Sequence, residues 1–129
     1  MDILIVESDS TTSDLIDEVI LNTEKLSQST IARAITADQG RNLLTTAAFD
    51  LIVIDLAVPG FDPAVVLPAF RQTHPATPII VIAGAISAAQ LTTLHRAATY
   101  AVLLKPIHPD DLQPILMGAL SPTDAPRAA

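Results

Sequence analysis

Two stretches constrain this chain more than any other: LIVI at residues 51–54 and IIVIA at 79–83. Each is apolar at every position and rich in β-branched residues. A strand with one wet face alternates apolar and polar residues, so an unbroken short run reads as a strand covered on both faces. ILIV at 3–6 reads the same way, and Ile31 to Ile35 is a weaker second strand. Residues 50–55 form the third strand, 79–83 the fourth behind Pro78, and 101–104 the fifth.

Helical segments fall between these runs. A Ser/Thr/Asp cluster precedes Leu15, Ile16, Val19 and Ile20, which share one helical stripe. Thr12 or Ser13 offers the N-cap there, with Asp14, Asp17 and Glu18 near the positive end. Residues 39–48 predict a second helix with Leu43, Leu44 and Ala47 inward; 63–73, 87–99 and 109–120 predict three more. Pro68 and Pro114 fall about six residues into their helices, so these either kink or begin later. SPTDAPRAA at 121–129 reads as a tail or linker after a single domain over 1–120.

Five strand–helix alternations with right-handed crossovers give an α/β fold, a doubly wound parallel sheet with helices on both faces. Ligand sites in such sheets lie beyond the carboxyl ends of the strands, near the switch in strand order. That rule selects Glu7, Ser8 and Asp9 after the first strand, and Asp55 after the third. It also selects Ala83 and Gly84 after the fourth and Lys105 after the fifth.

Composition removes several function classes. The net charge of −7 repels a phosphate backbone and an anionic membrane surface. Aromatics are 3% of residues, too few for a base-stacking platform. With no cysteine there is no disulfide, thiolate nucleophile or thiolate metal site. MDILIVESD carries acid where a secretory signal carries base, and no apolar run approaches the roughly 18 residues of a membrane span. The expected location is cytoplasmic.

The polar groups at the strand ends suggest a chemistry. Acids after the first and third strands can share a hard cation through oxygen ligands. A carboxylate so placed can attack phosphorus, and Lys105 can neutralise the resulting charge. Pro106 makes the Lys105–Pro106 peptide a candidate cis bond. Asp55 also has a plainer reading, as a strand-end residue capping the turn that Pro59 and Gly60 complete. Glu7 and Asp9 likewise suit the N-terminal end of the first helix, and both roles can coexist. His74, His95 and His108 match no metal-ligand spacing and read as solvated helix-end or loop residues.

ILIVESD, DLIVIDLAVPG, PIIVIAG and LLKPI, in that order, resemble the receiver domain of bacterial response regulators, the chemotaxis-regulator-like family, over about residues 2–120. The resemblance implies a flavodoxin-like sheet in the order 2-1-3-4-5 and a two-component phosphorelay function. It implies Asp55 as phosphoacceptor from a histidine kinase or phosphotransfer protein, and Lys105 in contact with the phosphoryl group. Mg²⁺ would be held by Glu7, Asp55 and the backbone carbonyl of Ala57. The output would be a downstream protein partner or effector domain. Such domains often pair through the fourth- and fifth-helix face, so a homodimer is one expectation.

Three positions depart from the family pattern. Ser8 replaces the second acid of the metal pair, so Mg²⁺ binding is expected to be weak, with Asp9 a substitute ligand if the loop turns. Ala83 lacks the hydroxyl that would bind the phosphoryl group. Val102 stands at the switching aromatic, with Tyr100 near but out of register. The alternative is a pseudo-receiver, an interaction module free of phosphorylation control. A flavodoxin-like flavin binder is more remote, since SDSTTSD is hydroxyl-rich but carries no glycine and three acids surround it. No reading makes the chain a metabolic enzyme.

Overall fold

A computed structural model of the chain describes residues 1–120; the expected tail at 121–129 lies outside the described residues. The elements alternate as β1 (Asp2–Val6), α1 (Ser10–Leu21), β2 (Thr30–Ala34), α2 (Ala37–Thr46), β3 (Leu51–Asp55), α3 (Pro63–Thr73), β4 (Ile79–Ala83), α4 (Ala88–Arg96), β5 (Ala101–Leu104) and α5 (Pro109–Ala119). A single 3₁₀ turn, Glu24–Leu26, joins α1 to β2. All strand pairs are parallel, in the expected order β2-β1-β3-β4-β5.

Each apolar run splits between two cores because strand side chains alternate faces. Leu4, Val6, Ile52, Ile54, Ile79 and Val81 face Leu44 of α2, Leu67 and Phe70 of α3, and Leu94 of α4. Ile3, Ile5, Leu51, Val53, Ile80 and Ile82 face Ile16 and Ile20 of α1 and Leu112 and Leu116 of α5. Burying one such side chain contributes roughly 1.5–3 kcal/mol. The doubly covered central strands are therefore the stable platform on which the strand-end residues sit.

Several helix ends differ from the sequence expectations, and local hydrogen bonding explains them. Neither Thr12 nor Ser13 caps α1. Asp9 does, accepting from the Thr11 N–H at 3.2 Å and the Thr12 hydroxyl at 2.8 Å, while Thr12 and Ser13 are buried within the first turn. The hydroxyl-rich loop thus starts a helix. The second helix begins at Ala37, because the Thr36 hydroxyl accepts from the Gln39 N–H, and ends before Ala47, which is exposed and extended. The fourth ends at Arg96 rather than 99, and Ala98 turns the chain with a φ of +57°. Pro68 and Pro114 interrupt neither helix. Both lie on exposed positions, where water can satisfy the carbonyl each proline leaves unpaired.

His95 and His108 are exposed as expected, but His74 is not. Its ring is buried, and Nε2 accepts the Phe49 N–H at 3.1 Å. It pins the turn before β3 to the end of α3. A contact across 25 residues leaves no local sequence signal.

Candidate functional site

The acidic pocket forms where β1, β3 and β5 end. Parallel register sets the depth of each residue: the Glu7 N–H donates to the Ala34 carbonyl at 2.9 Å, the Leu56 N–H to Ile82 at 2.7 Å and the Lys105 N–H to Ala83 at 2.8 Å. These bonds carry the sheet one residue past the strands, so Glu7, Asp55 and Lys105 emerge together. Asp55 is 2% exposed and Glu7 5%, so both carboxyls stand in a largely dry floor.

The two oxygens of Asp55 have different partners. Oδ1 accepts the Ala57 N–H at 2.8 Å, an Asx turn that starts the β3–α3 loop. Oδ2 meets Lys105 Nζ at 2.5 Å. Gly60, at φ +80°, completes the turn in a conformation that disfavours a side chain. The Pro59 carbonyl then accepts the Ala37 N–H at 3.0 Å, tying the loop to α2. The Lys105–Pro106 peptide is cis.

Lys105 Nζ also lies 3.8 Å from Glu7 Oε2, and that oxygen accepts the Asp9 N–H at 3.2 Å. Burial, with the Asp55 carboxyl as neighbour, pushes the Glu7 carboxyl up to about 7. Burial also acts to raise Asp55, but hydrogen bonds from Glu7, Lys105 and the Ala57 N–H outweigh it and hold Asp55 below the usual range. The proton of this pair therefore rests on Glu7, and Asp55 is the ionised partner. Desolvation acts to lower Lys105, yet the surrounding carboxylates raise it, so its ammonium stays charged. The pocket is a buried anion facing one cation.

Glu7 Oε1 is buried and has no donor among the described residues. Such an atom costs stability unless a proton or a cation satisfies it. The oxygens present, the Asp55 carboxylate, the Glu7 carboxyl once it gives up its proton, and the Ala57 carbonyl, are the hard donors Mg²⁺ prefers. No group of three or more acidic or histidine side chains gathers as a metal cage among the described residues. Asp9 is engaged as the α1 cap, and the Thr12 hydroxyl holds its carboxyl below the usual range. Ser8 is exposed beside it.

Ala83 is fully buried and ends β4 with a methyl group. The next residue, Gly84, has open space where a side chain would stand. Val102 is half-buried against the core shared by α2, α3 and α4. Tyr100 instead packs on the α5 side; a Cβ at Gly118 would stand 2.5 Å from its hydroxyl oxygen. The Ala57 N–H contact with Asp55 was readable from the Asp-x-Ala spacing before Pro59-Gly60, as an Asx turn.

Comparison with known proteins agrees with this fold. No curated protein matches the chain. The fold is similar to a chemotaxis-regulator-like receiver domain protein of Methanospirillum hungatei JF-1, with 23% identity over 92% of each chain and a TM-score of 0.81. It is similar to the phosphorylated cyanobacterial phytochrome response regulator RcpA, with 20% identity over 97% of each chain and a TM-score of 0.81. A third likeness is the receiver domain of a sensor histidine kinase from Pseudomonas aeruginosa PAO1, whose active-site cleft coordinates magnesium. It is 21% identical over 92% of this chain and 96% of that one, with a TM-score of 0.75. The response regulator receiver domain family matches residues 3–117. With its sheet order and strand-end pocket, the chain belongs to that family and is a receiver domain of two-component signalling.

Proposed function

We propose that Asp55 accepts a phosphoryl group from a histidine kinase or phosphotransfer protein. The carrying observation is the contact of Lys105 Nζ with Asp55 Oδ2 at 2.5 Å on a buried strand end. An Asp55 oxygen attacks the phosphorus of a phosphohistidine, forming an acyl phosphate. The P–N bond breaks and its electron pair returns to the imidazole, which takes up a proton from solvent. Lys105 compensates the charge added beside a desolvated carboxylate.

Glu7, Asp55 and the Ala57 carbonyl would hold Mg²⁺, which supplies positive charge to the phosphoryl oxygens when bound. Ser8 leaves the site one formal charge short, so binding is weak. Asp9 would join only by giving up its place as the α1 cap. Residues 1–120 form the signalling unit, with 121–129 as tail or linker to a downstream partner or effector domain. The unit acts in the cytoplasm, where ATP-fed kinases work, and pairing with a second copy is open to it. No described helix is long and apolar enough to cross a membrane.

Ala83 favours a second reading, a pseudo-receiver that binds partners without phosphorylation control. One experiment separates the two. The protein is incubated with acetyl phosphate and Mg²⁺ and weighed intact, with Asp55→Asn as control. One added phosphoryl group, lost in the control, supports the acceptor. No adduct under conditions that load an ordinary receiver domain overturns it and leaves the interaction module.

A further inference from the structure

A cleft of about 700 Å³ opens at the end of the sheet opposite Asp55, against Pro78 before β4 and Tyr100 before β5. Its volume falls within the range of small-ligand sites, roughly 300–1,000 Å³. The walls combine Pro75, Pro78 and Tyr100 with one cation, Arg71.

Arg71 is held at the lip of this cleft by three backbone carbonyls. Nη1 donates to Thr77 at 2.5 Å and to His74 at 3.3 Å, and Nη2 donates to Ala98 at 3.1 Å. The positive φ of Ala98 belongs to the turn that presents this last carbonyl. A guanidinium carries five N–H donors, so two remain without a protein partner among the described residues. Arg71 and Lys105 are the two partly buried cations among the described residues. Arg33 pairs with Asp17, and Lys105 pairs with Asp55 and Glu7. Among the described residues Arg71 has no carboxylate partner, although burial disfavours its charge.

The threonines of the cleft spend their hydroxyl protons elsewhere: Thr77 donates to the Phe49 carbonyl and Thr99 to the Leu94 carbonyl. The guanidinium thus still offers donors to a ligand, and its planar fork matches a carboxylate. We propose that this cleft binds a small organic carboxylate, with its apolar body on the proline and tyrosine walls and its anion on Arg71. The site stands apart from the acidic pocket and does not depend on phosphorylation of Asp55.

Benzoate and its neutral isostere benzamide test this on the whole chain by amide NMR. Benzoate produces saturable shifts at residues 76, 77 and 98–100 with roughly millimolar affinity, as suits so small a ligand. Benzamide binds about tenfold more weakly, because it lacks the charge. Equal responses to the two, shifts confined to other residues, or no saturable shift each overturn the proposal. Arg71→Lys keeps a cation but loses the fork and weakens benzoate more than benzamide. The isostere comparison holds even if that variant folds poorly.

Discussion

Lys105 Nζ lies 2.5 Å from Asp55 Oδ2, while the other oxygen of Asp55 is committed to the Ala57 N–H. One carboxylate therefore anchors a loop and faces the only cation of its pocket among the described residues. Lys105→Met removes that cation and leaves two buried carboxyls in contact. Breaking a fully buried pair costs about 3–5 kcal/mol. Lys105 keeps 26% of its side chain exposed and the Glu7 carboxyl, pushed up to about 7, is only partly ionised near neutral pH, so about 1–2 kcal/mol is expected here. The phosphorylation rate falls on the order of a hundredfold, as when one charged contact to a reacting group is deleted. Denaturant midpoints and the time course of mass change measure the two effects separately.

Ser8→Asp restores a third carboxylate beside Glu7. Two carboxylates and a carbonyl are few ligands for a cation that prefers six oxygens, water included. The added charge should tighten Mg²⁺ binding by about tenfold, equivalent to roughly 1.4 kcal/mol. Calorimetric titration of both proteins gives the ratio. An unchanged affinity would mean that Ser8 stands clear of the ion.

Ala83→Thr places a hydroxyl at the end of β4, beside the proposed phosphoryl group. Threonine is at home in a strand. A hydrogen bond to a charged group contributes about 1.5–3 kcal/mol, so the phosphorylated fraction at fixed donor should rise roughly tenfold. Ala83→Val has nearly the same shape without the hydroxyl and should leave that fraction unchanged. If both variants behave alike, the effect belongs to packing.

His74 predicts a pH dependence of stability. Burial lowers its pKa in the fold below the usual 6.5 of a free imidazole, and Nε2 must be unprotonated to accept the Phe49 N–H. The unfolded chain therefore binds the proton more readily. The His74 contribution is complete above about pH 6.5 and is lost as pH falls below it. Urea midpoints of the protein and of His74→Gln, taken at pH 7.5 and 5.5, test the sign. Carboxyl groups titrate in both proteins, so the difference isolates His74. The native advantage, about 1 kcal/mol at pH 7.5, should shrink at pH 5.5.

The fold was readable because the strands leave unbroken apolar runs, and three of those runs, in β1, β3 and β5, lead to the residues that meet at the pocket. Asp55 and Lys105 could be paired from strand order alone. What escaped the sequence depends on partners distant in the chain or on competition among equivalent caps. Asp9, Thr12 and Ser13 all have capping chemistry, and Asp9 is the one that caps α1. His74 looks like a loop histidine until Phe49 arrives 25 residues away in sequence. Arg71 carries no motif, since its partners are backbone carbonyls.

Tyr100 and Gly118 offer the sharpest packing test. A Cβ at Gly118 would stand 2.5 Å from the Tyr100 hydroxyl oxygen, closer than any stable contact. Gly→Ala inside a helix normally stabilises by about 1 kcal/mol, whereas overpacking costs about 1–3 kcal/mol. The ring carbon beside the hydroxyl is already 3.7 Å away, so only the oxygen obstructs. Gly118→Ala should therefore destabilise by up to about 2 kcal/mol. Adding Tyr100→Phe removes that oxygen and should recover the helix gain. The double variant would then be more stable than the sum of the two single effects by about 1–2 kcal/mol. Additive effects in that cycle would mean that Tyr100 swings away from α5 at little cost, and that its seat on Gly118 does not hold β5 against the helix.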